Sequence, residues 1–174
     1  MTRGTFYLHY EDKADFIQRT LAEIMSDFFE HVIVSADFED HEWQFSEEGQ
    51  YKLFSVRKAF EYIEDNSSTF DVLLNKYEND SFYKELEGRL SQHLTEFLEQ
   101  TKSMRASVEP DQFSAEAMSE DILVAYTVSA HIGIIKLWLL GGMKYTARYM
   151  TKSVEQINES VRNRFPGTSF FTVE

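Results

Sequence analysis

Five histidines, thirty carboxylates and no cysteine bound the chemistry available to this 174-residue sequence. Without cysteine there is neither a thiolate nucleophile nor a disulfide, and the cysteine count cannot report a redox compartment. No Glu or Asp stands three residues before His9, His31, His41, His93 or His131, so the Glu-x-x-His pattern of di-iron bundles is missing. No His-Glu-x-x-His, no Gly-x-Ser-x-Gly and no phosphate-cradling glycine loop occurs. The run Glu39-Asp40-His41-Glu42 could meet a divalent cation, but contiguous acidic residues lack ligand spacing, and a solvated loop is the better reading. The residues therefore point away from an enzyme and imply neither metal nor cofactor; a helical-bundle enzyme is the weakest reading. His31 and His93 fall on the flanks of helical runs. His131 sits in the most apolar stretch, where an imidazole must stay neutral or find a partner.

The net charge of −13 repels a phosphate backbone, so any DNA contact needs a local basic patch. Near the start, Arg3 and Lys13 are offset by Glu11 and Asp12. Hydrophobic residues at 43% exclude a disordered chain, and only 7 Gly and 2 Pro favour long helices over many short strands. The expected class is all-α. The first apolar cluster is short and broken by His9, Glu11 and Asp12, unlike a signal peptide, so a cytoplasmic protein is expected.

The elements follow from apolar spacing. Asp12 is a candidate N-cap for a helix reaching about Asp37, with Ile17, Leu21, Ile24, Phe28 and Val32 on its stripe. Phe38 to Ser46 reads as an acidic loop. A second helix is expected from Glu47 with Leu53, Val56, Phe60 and Ile63, ended by Asn66-Ser67-Ser68, and a shorter one carries Phe70 and Leu74. Asn79-Asp80-Ser81 signals the next start, before Phe82, Leu86, Leu90, Leu94 and Leu98. Pro110 punctuates the chain. Ile122 to Leu140 is closed by Gly141-Gly142, and a last helix from about Thr146 stops before Pro166-Gly167. The tail after it is too short to classify.

Ile122 to Leu140 approaches the roughly 20 residues of a bilayer span. His131 and Lys136 inside it, and Glu120 and Asp121 at its edge, favour burial in protein over a membrane. Two such helices can pair with their symmetry mates across a two-fold axis, or can simply form the core of one copy. For the pairing, the expected residues are Ile122, Tyr126, Ser129, Ala130, Gly133, Leu137 and Trp138, with Met150, Val154, Ile157 and Val161 on the following helix. The surplus of aromatics suits an apolar cavity. Its expected lining is Met25, Phe28, Phe29, Phe54, Phe60, Phe70, Tyr77, Phe97, Tyr126 and His131.

Gly4-Thr-Phe-Tyr-Leu-His-Tyr10, followed by Asp12-Lys13 and Phe16, resembles the recognition helix of TetR-type transcriptional regulators. Phe60-Glu-Tyr-Ile-Glu-Asp-Asn66, Val72-Leu-Leu74, Phe82-Tyr-Lys-Glu-Leu86 and Gly133-Ile-Ile-Lys-Leu-Trp138 before Gly141-Gly142 are similar to the sensor domain of that family, in particular to activators of dihydroxyacetone-kinase operons. The resemblance implies a partial helix-turn-helix over residues 1–11, an effector-binding and dimerisation domain over 12–165, and a tail over 166–174. It further implies a homodimer, a small-molecule effector of unknown identity, and operator DNA as partner of a full-length form. By the same resemblance Thr2, Arg3, Thr5, Tyr7, His9 and Lys13 would contact DNA, and Phe6 and Tyr10 would be core. A recognition helix needs a bracing first helix, so this form is expected to bind operator DNA weakly or not at all. The alternative expectation is a truncated partner subunit that acts by dimerisation alone.

Overall fold

A computed structural model describes residues 11–37, 50–76, 79–102, 119–162 and 169–172. Among them are six α-helices and one small sheet, so the chain is all-α in class with a local β element. The helices are α1 (Lys13–Val32), α2 (Val56–Asp65), α3 (Ser67–Lys76), α4 (Asn79–Gln100), α5 (Glu120–Leu140) and α6 (Ala147–Val161). The strands are β1 (Ile33–Asp37), β2 (Gln50–Ser55) and β3 (Phe171–Thr172), in the order β1-β2-β3.

The helix α1 begins where Asp12 accepts the amide of Asp15 at 2.9 Å, and Asp15 then pairs with Arg19 one turn on at 2.7 Å. It stops five residues before the expected end at Asp37. Val32, Ile33 and Val34 are three successive β-branched residues, stiff at χ1 and suited to a pleated surface. From Ile33 the backbone is extended and pairs antiparallel with β2, Ile33 opposite Phe54 and Asp37 opposite Gln50. The helix expected from Glu47 is corrected in the same way. Tyr51 and Leu53 are buried around an exposed Lys52, a period of two, and Ser55 accepts the amide of Lys58 at 3.2 Å to open α2. The acidic loop expected over Phe38 to Ser46 lies outside the described residues, as does Pro110.

Packing then follows the stripes. Leu86, Leu90, Leu94 and Leu98 bury one face of α4 against α5. In α5, Leu123, Val128, Ile132, Ile135 and Leu139 are buried. By length and composition α5 could cross a membrane, the one such helix among the described residues, but this inner face is spent on the protein's own core. Gly142 ends it with a positive φ of 70°, and a Cβ on Gly141 would stand 2.9 Å from the Leu137 carbonyl oxygen.

Two links join distant parts. Glu64 at the end of α2 accepts the amide of Ala147 at 3.0 Å, satisfying one of the free donors at the start of α6. The second link is the segment after α6. Phe171 and Thr172 lie parallel to Phe54 and Ser55, and Phe170 and Phe171 are buried at 0% and 2% exposure. Each ring so buried stabilises the fold by roughly 1.5–3 kcal/mol.

Candidate functional site

Along one side of α1 a cleft separates it from α2 and the start of α3. Glu23, Ile24, Asp27 and His31 form the α1 wall, and Arg57, Lys58, Glu61, Tyr62 and Asp65 the α2 wall, with Asn66, Thr69 and Phe70 at the end. It comprises two adjoining hollows of about 280 and 470 Å³ that share Asp27, Tyr62 and Asn66.

Tyr62 is the hinge of this arrangement. Its hydroxyl donates to Asp27 Oδ2 across the cleft, and its ring packs edge-on against Phe28 and Phe70. Burial, then the adjoining carboxylate, push the phenol up to about 12, so it keeps its proton throughout the accessible pH range. Asn66 is fixed beside it, its side-chain amide donating to the Tyr62 carbonyl at 2.9 Å. Arg57 and Glu61 form an exposed pair at 3.4 Å that adds little stability. The walls therefore present four carboxylates, two cations (Arg57 and Lys58), an imidazole, a phenol, a hydroxyl and an amide, with Ile24 and Phe70 as apolar surface.

Most of the described side chains expected to line a cavity are buried against one another. Met25, Phe28, Phe29, Phe54, Phe60 and Phe97 are buried in the core, packed ring against ring: Phe28–Phe29 at 5.5 Å, Phe28–Phe54 at 6.2 Å and Phe60–Trp138 at 5.1 Å. Among the described residues of the expected lining, Phe70 alone borders the cleft. Tyr126 points outward at 59% exposure, and Tyr77 lies outside the described residues. The cleft residues Glu23, Asp27 and Asn66 were not in the expected set. The sequence marks them only as polar positions flanking an apolar stripe.

His131 is buried between α5 and α6. Its Nδ1 donates to the Thr127 carbonyl at 2.8 Å, and its Nε2 accepts the Asn158 amide at 3.3 Å, which fixes the neutral tautomer. Burial pulls its pKa down from 6.5 to about 4, against the Thr127 carbonyl, which favours the protonated ring. The unfolded chain thus binds a proton near pH 6.5 that the folded chain refuses until about pH 4. Stability from this group is complete above that window and is lost as pH falls through it, roughly 3 kcal/mol in all. Urea denaturation should show the gap between the wild type and His131→Gln narrowing from pH 7 to pH 4.5; a constant gap would refute the assignment.

The helices α5 and α6 also leave apolar groups on the surface. Ile122, Tyr126, Leu137 and Ile157 are 58%, 59%, 72% and 51% exposed, with Ser129, Ala130 and Gly133 exposed between them on α5. A Cβ on Gly133 would meet nothing within 4 Å. Trp138, Met150 and Val154, expected beside them, are instead buried in the chain's own core, and Val161 is partly buried. Trp138 faces inward because its indole N–H donates to the Tyr145 carbonyl at 2.8 Å while its ring meets Phe60. Of the expected DNA contacts, Thr2, Arg3, Thr5, Tyr7 and His9 lie outside the described residues; Lys13 opens α1. Among the described residues no group of three or more metal-ligating side chains comes together, and Glu39 to Glu42 are not among them.

Residues 53–160 match a family model for a transcriptional regulator C-terminal region of the TetR type, which takes in α2 to α6. No curated protein and no solved structure matches the chain.

Proposed function

Because the chain belongs to the TetR family of transcriptional regulators, we propose that α1 to α6 are the sensing and pairing part of a homodimeric regulator whose DNA affinity answers to a small molecule. The observation that carries this reading is the cleft along α1, bridged by Tyr62 and Asp27. In the resemblance described above, α1 is the helix that follows the DNA-reading segment, so a ligand seated against it acts on the element next to the DNA. That is two sites coupled through one movable element.

The ligand would be a small molecule with hydrogen-bond donors and an apolar body. Acceptors dominate the walls, through Glu23, Asp27, Glu61 and Asp65, while Phe70 and Ile24 supply apolar contact. Seating it breaks or shares the Tyr62–Asp27 bond and alters how α1 rests on α2. Pairing would use the exposed stripe from Ile122 to Leu137 with Ile157, an isologous contact between identical faces.

A screen by thermal denaturation tests the sensing role. A ligand at a hundredfold its Kd adds about 2.7 kcal/mol, or roughly 5–10 °C in Tm for a chain of this size. Tyr62→Phe and Asn66→Ala should each abolish most of that shift while leaving the ligand-free Tm within about 2 °C, as part-exposed polar substitutions do. A shift that survives both substitutions places the effector elsewhere.

A further inference from the structure

The helix α6 carries its charges in an order that a lone helix does not favour. Its first turn holds no carboxylate and its last turn no cation. Arg148 stands near the positive end of the helix dipole and Glu159 near the negative end, so both oppose it. Lys152 and Glu155 continue the same order inward; Arg162, at the C-cap, has the sign the dipole favours. Like charges are also neighbours. Arg148 and Lys152 stand four apart, as do Glu155 and Glu159, and at that spacing like charges repel. At about 100° per residue the four side chains fall within a sector of about 60°. That sector turns away from Ala147, Met150, Val154 and Asn158, which are buried. Arg148, Lys152 and Glu159 are exposed and Glu155 is partly so. Among the described residues none of the four makes an ion pair.

The stripe therefore reads plus, plus, minus, minus from Arg148 to Glu159, and that order is its own complement when reversed. We propose that α6 packs against the α6 of a second copy, antiparallel and centred between Ser153 and Val154, and that this charge order selects an identical partner. The proposal rests on the homodimer reading above and adds to it an orientation, a register and a source of selectivity.

A two-fold axis perpendicular to a helix sets it against its mate in opposite directions. In this register Arg148 is level with the partner's Glu159 and Lys152 with the partner's Glu155, and each pair occurs twice. The positive end of each helix dipole then lies beside the negative end of the other. Exposed Tyr149 comes level with the partner's Ile157, and Arg162 with the partner's Tyr145 rather than with a like charge. Ser153 and Ser160 keep the seam narrow. Their hydroxyls donate to the Tyr149 and Ile157 carbonyls at 2.9 and 2.7 Å, so neither needs a partner across the contact. A parallel mate would set like charge against like. A related chain with another charge order would leave charges unmatched, which is how an interface rejects wrong partners.

Charge reversal on the full chain, read by sedimentation, tests this. The double variant Arg148→Glu with Lys152→Glu makes the stripe all acidic, and Glu155→Lys with Glu159→Lys makes it all basic. Each should self-associate at least about tenfold more weakly than the wild type at about 50 mM salt, and the gap should narrow at about 500 mM. Mixed together, the two should form a mixed pair tighter than either makes alone. The fourfold variant, with the whole order reversed, should pair like the wild type. Each double variant relieves the clash with the helix dipole, so the Tm of its separate copies should not fall, and weaker pairing is not unfolding. The register is read by cross-linking, because the chain has no cysteine of its own. Ser153→Cys, beside the axis, should join to its mate under mild oxidation. Ser160→Cys, roughly 20 Å from its mate, should not. Pairing indifferent to the charge variants, a mixed pair no tighter than either alone, or cross-linking at 160 in preference to 153 overturns the proposal and leaves the exposed face of α5 its role. A wild type that sediments as a single copy removes both.

Discussion

Replacing Leu137 with Asp should turn a dimer into a monomer at micromolar concentration, weakening self-association by a hundredfold or more. Leu137 is the most exposed large apolar side chain of α5, at 72%, and it stands one turn from Gly133, where nothing limits close approach. A two-fold axis would place the substitution in the contact twice. Each carboxylate would lose its water without gaining a partner, a cost of several kcal/mol per ion. Sedimentation should give twice 20.4 kDa for the wild type and 20.4 kDa for the variant. Lys84→Glu, on an exposed position of α4, should leave the mass unchanged. A wild type that sediments as a single copy removes the pairing role from this face.

The largest expected loss of stability is at Phe54. Its ring is 2% exposed and touches Phe28, Phe29, Phe170 and Phe171, so it joins α1, the sheet and the segment after α6. Truncation of a buried Phe to Ala costs about 3–5 kcal/mol, against a total of about 5–15 kcal/mol for an ordinary domain. Phe54→Ala should therefore lower the urea midpoint by about a fifth or more, and Phe54→Leu should recover most of the loss. Phe54 is also opposite Phe171 in the ladder. The Ala variant should for that reason expose the 169–172 segment to protease before the rest of the chain. A loss under about 1 kcal/mol would show that the neighbouring rings close the gap.

Much of this could be read from residue spacing, and the misreadings have physical causes. The stripe of α4 and the apolar run of α5 were legible because each persists over more than four turns. The switch at Ile33 was not, because Phe28, Phe29, Val32 and Ile33 fit a helical stripe and no Gly or Pro interrupts them. Only the pairing of Ile33 with Phe54, far away in sequence, decides the matter. The β-branched triplet at Val32 was the local signal available. Likewise Ser169-Phe-Phe-Thr-Val173 has the composition of a strand, but its place was set by Phe54 and His131.

For the site, residue type was a coarse guide: of the expected lining, Phe70 borders the cleft along α1. An abundance of Phe does not say whether the rings enclose a space or fill one; among the described residues Phe28, Phe29, Phe54 and Phe60 pack against other rings. A helix apolar on every side does not say which face turns inward, so Trp138 and Leu137 could not be told apart until Phe60 and the Tyr145 carbonyl supplied partners for one of them. Polar pairs such as Tyr62 with Asp27 are separated by 35 residues and leave no periodic trace.

The Glu64 carboxylate on the Ala147 amide has a mechanical consequence. It makes a tie-rod between α2, one wall of the cleft, and α6, which carries Ile157 on its outer side. Sliding one helix without the other would strip the amide of its acceptor, so the bond resists that motion and favours the register seen between α2 and α6.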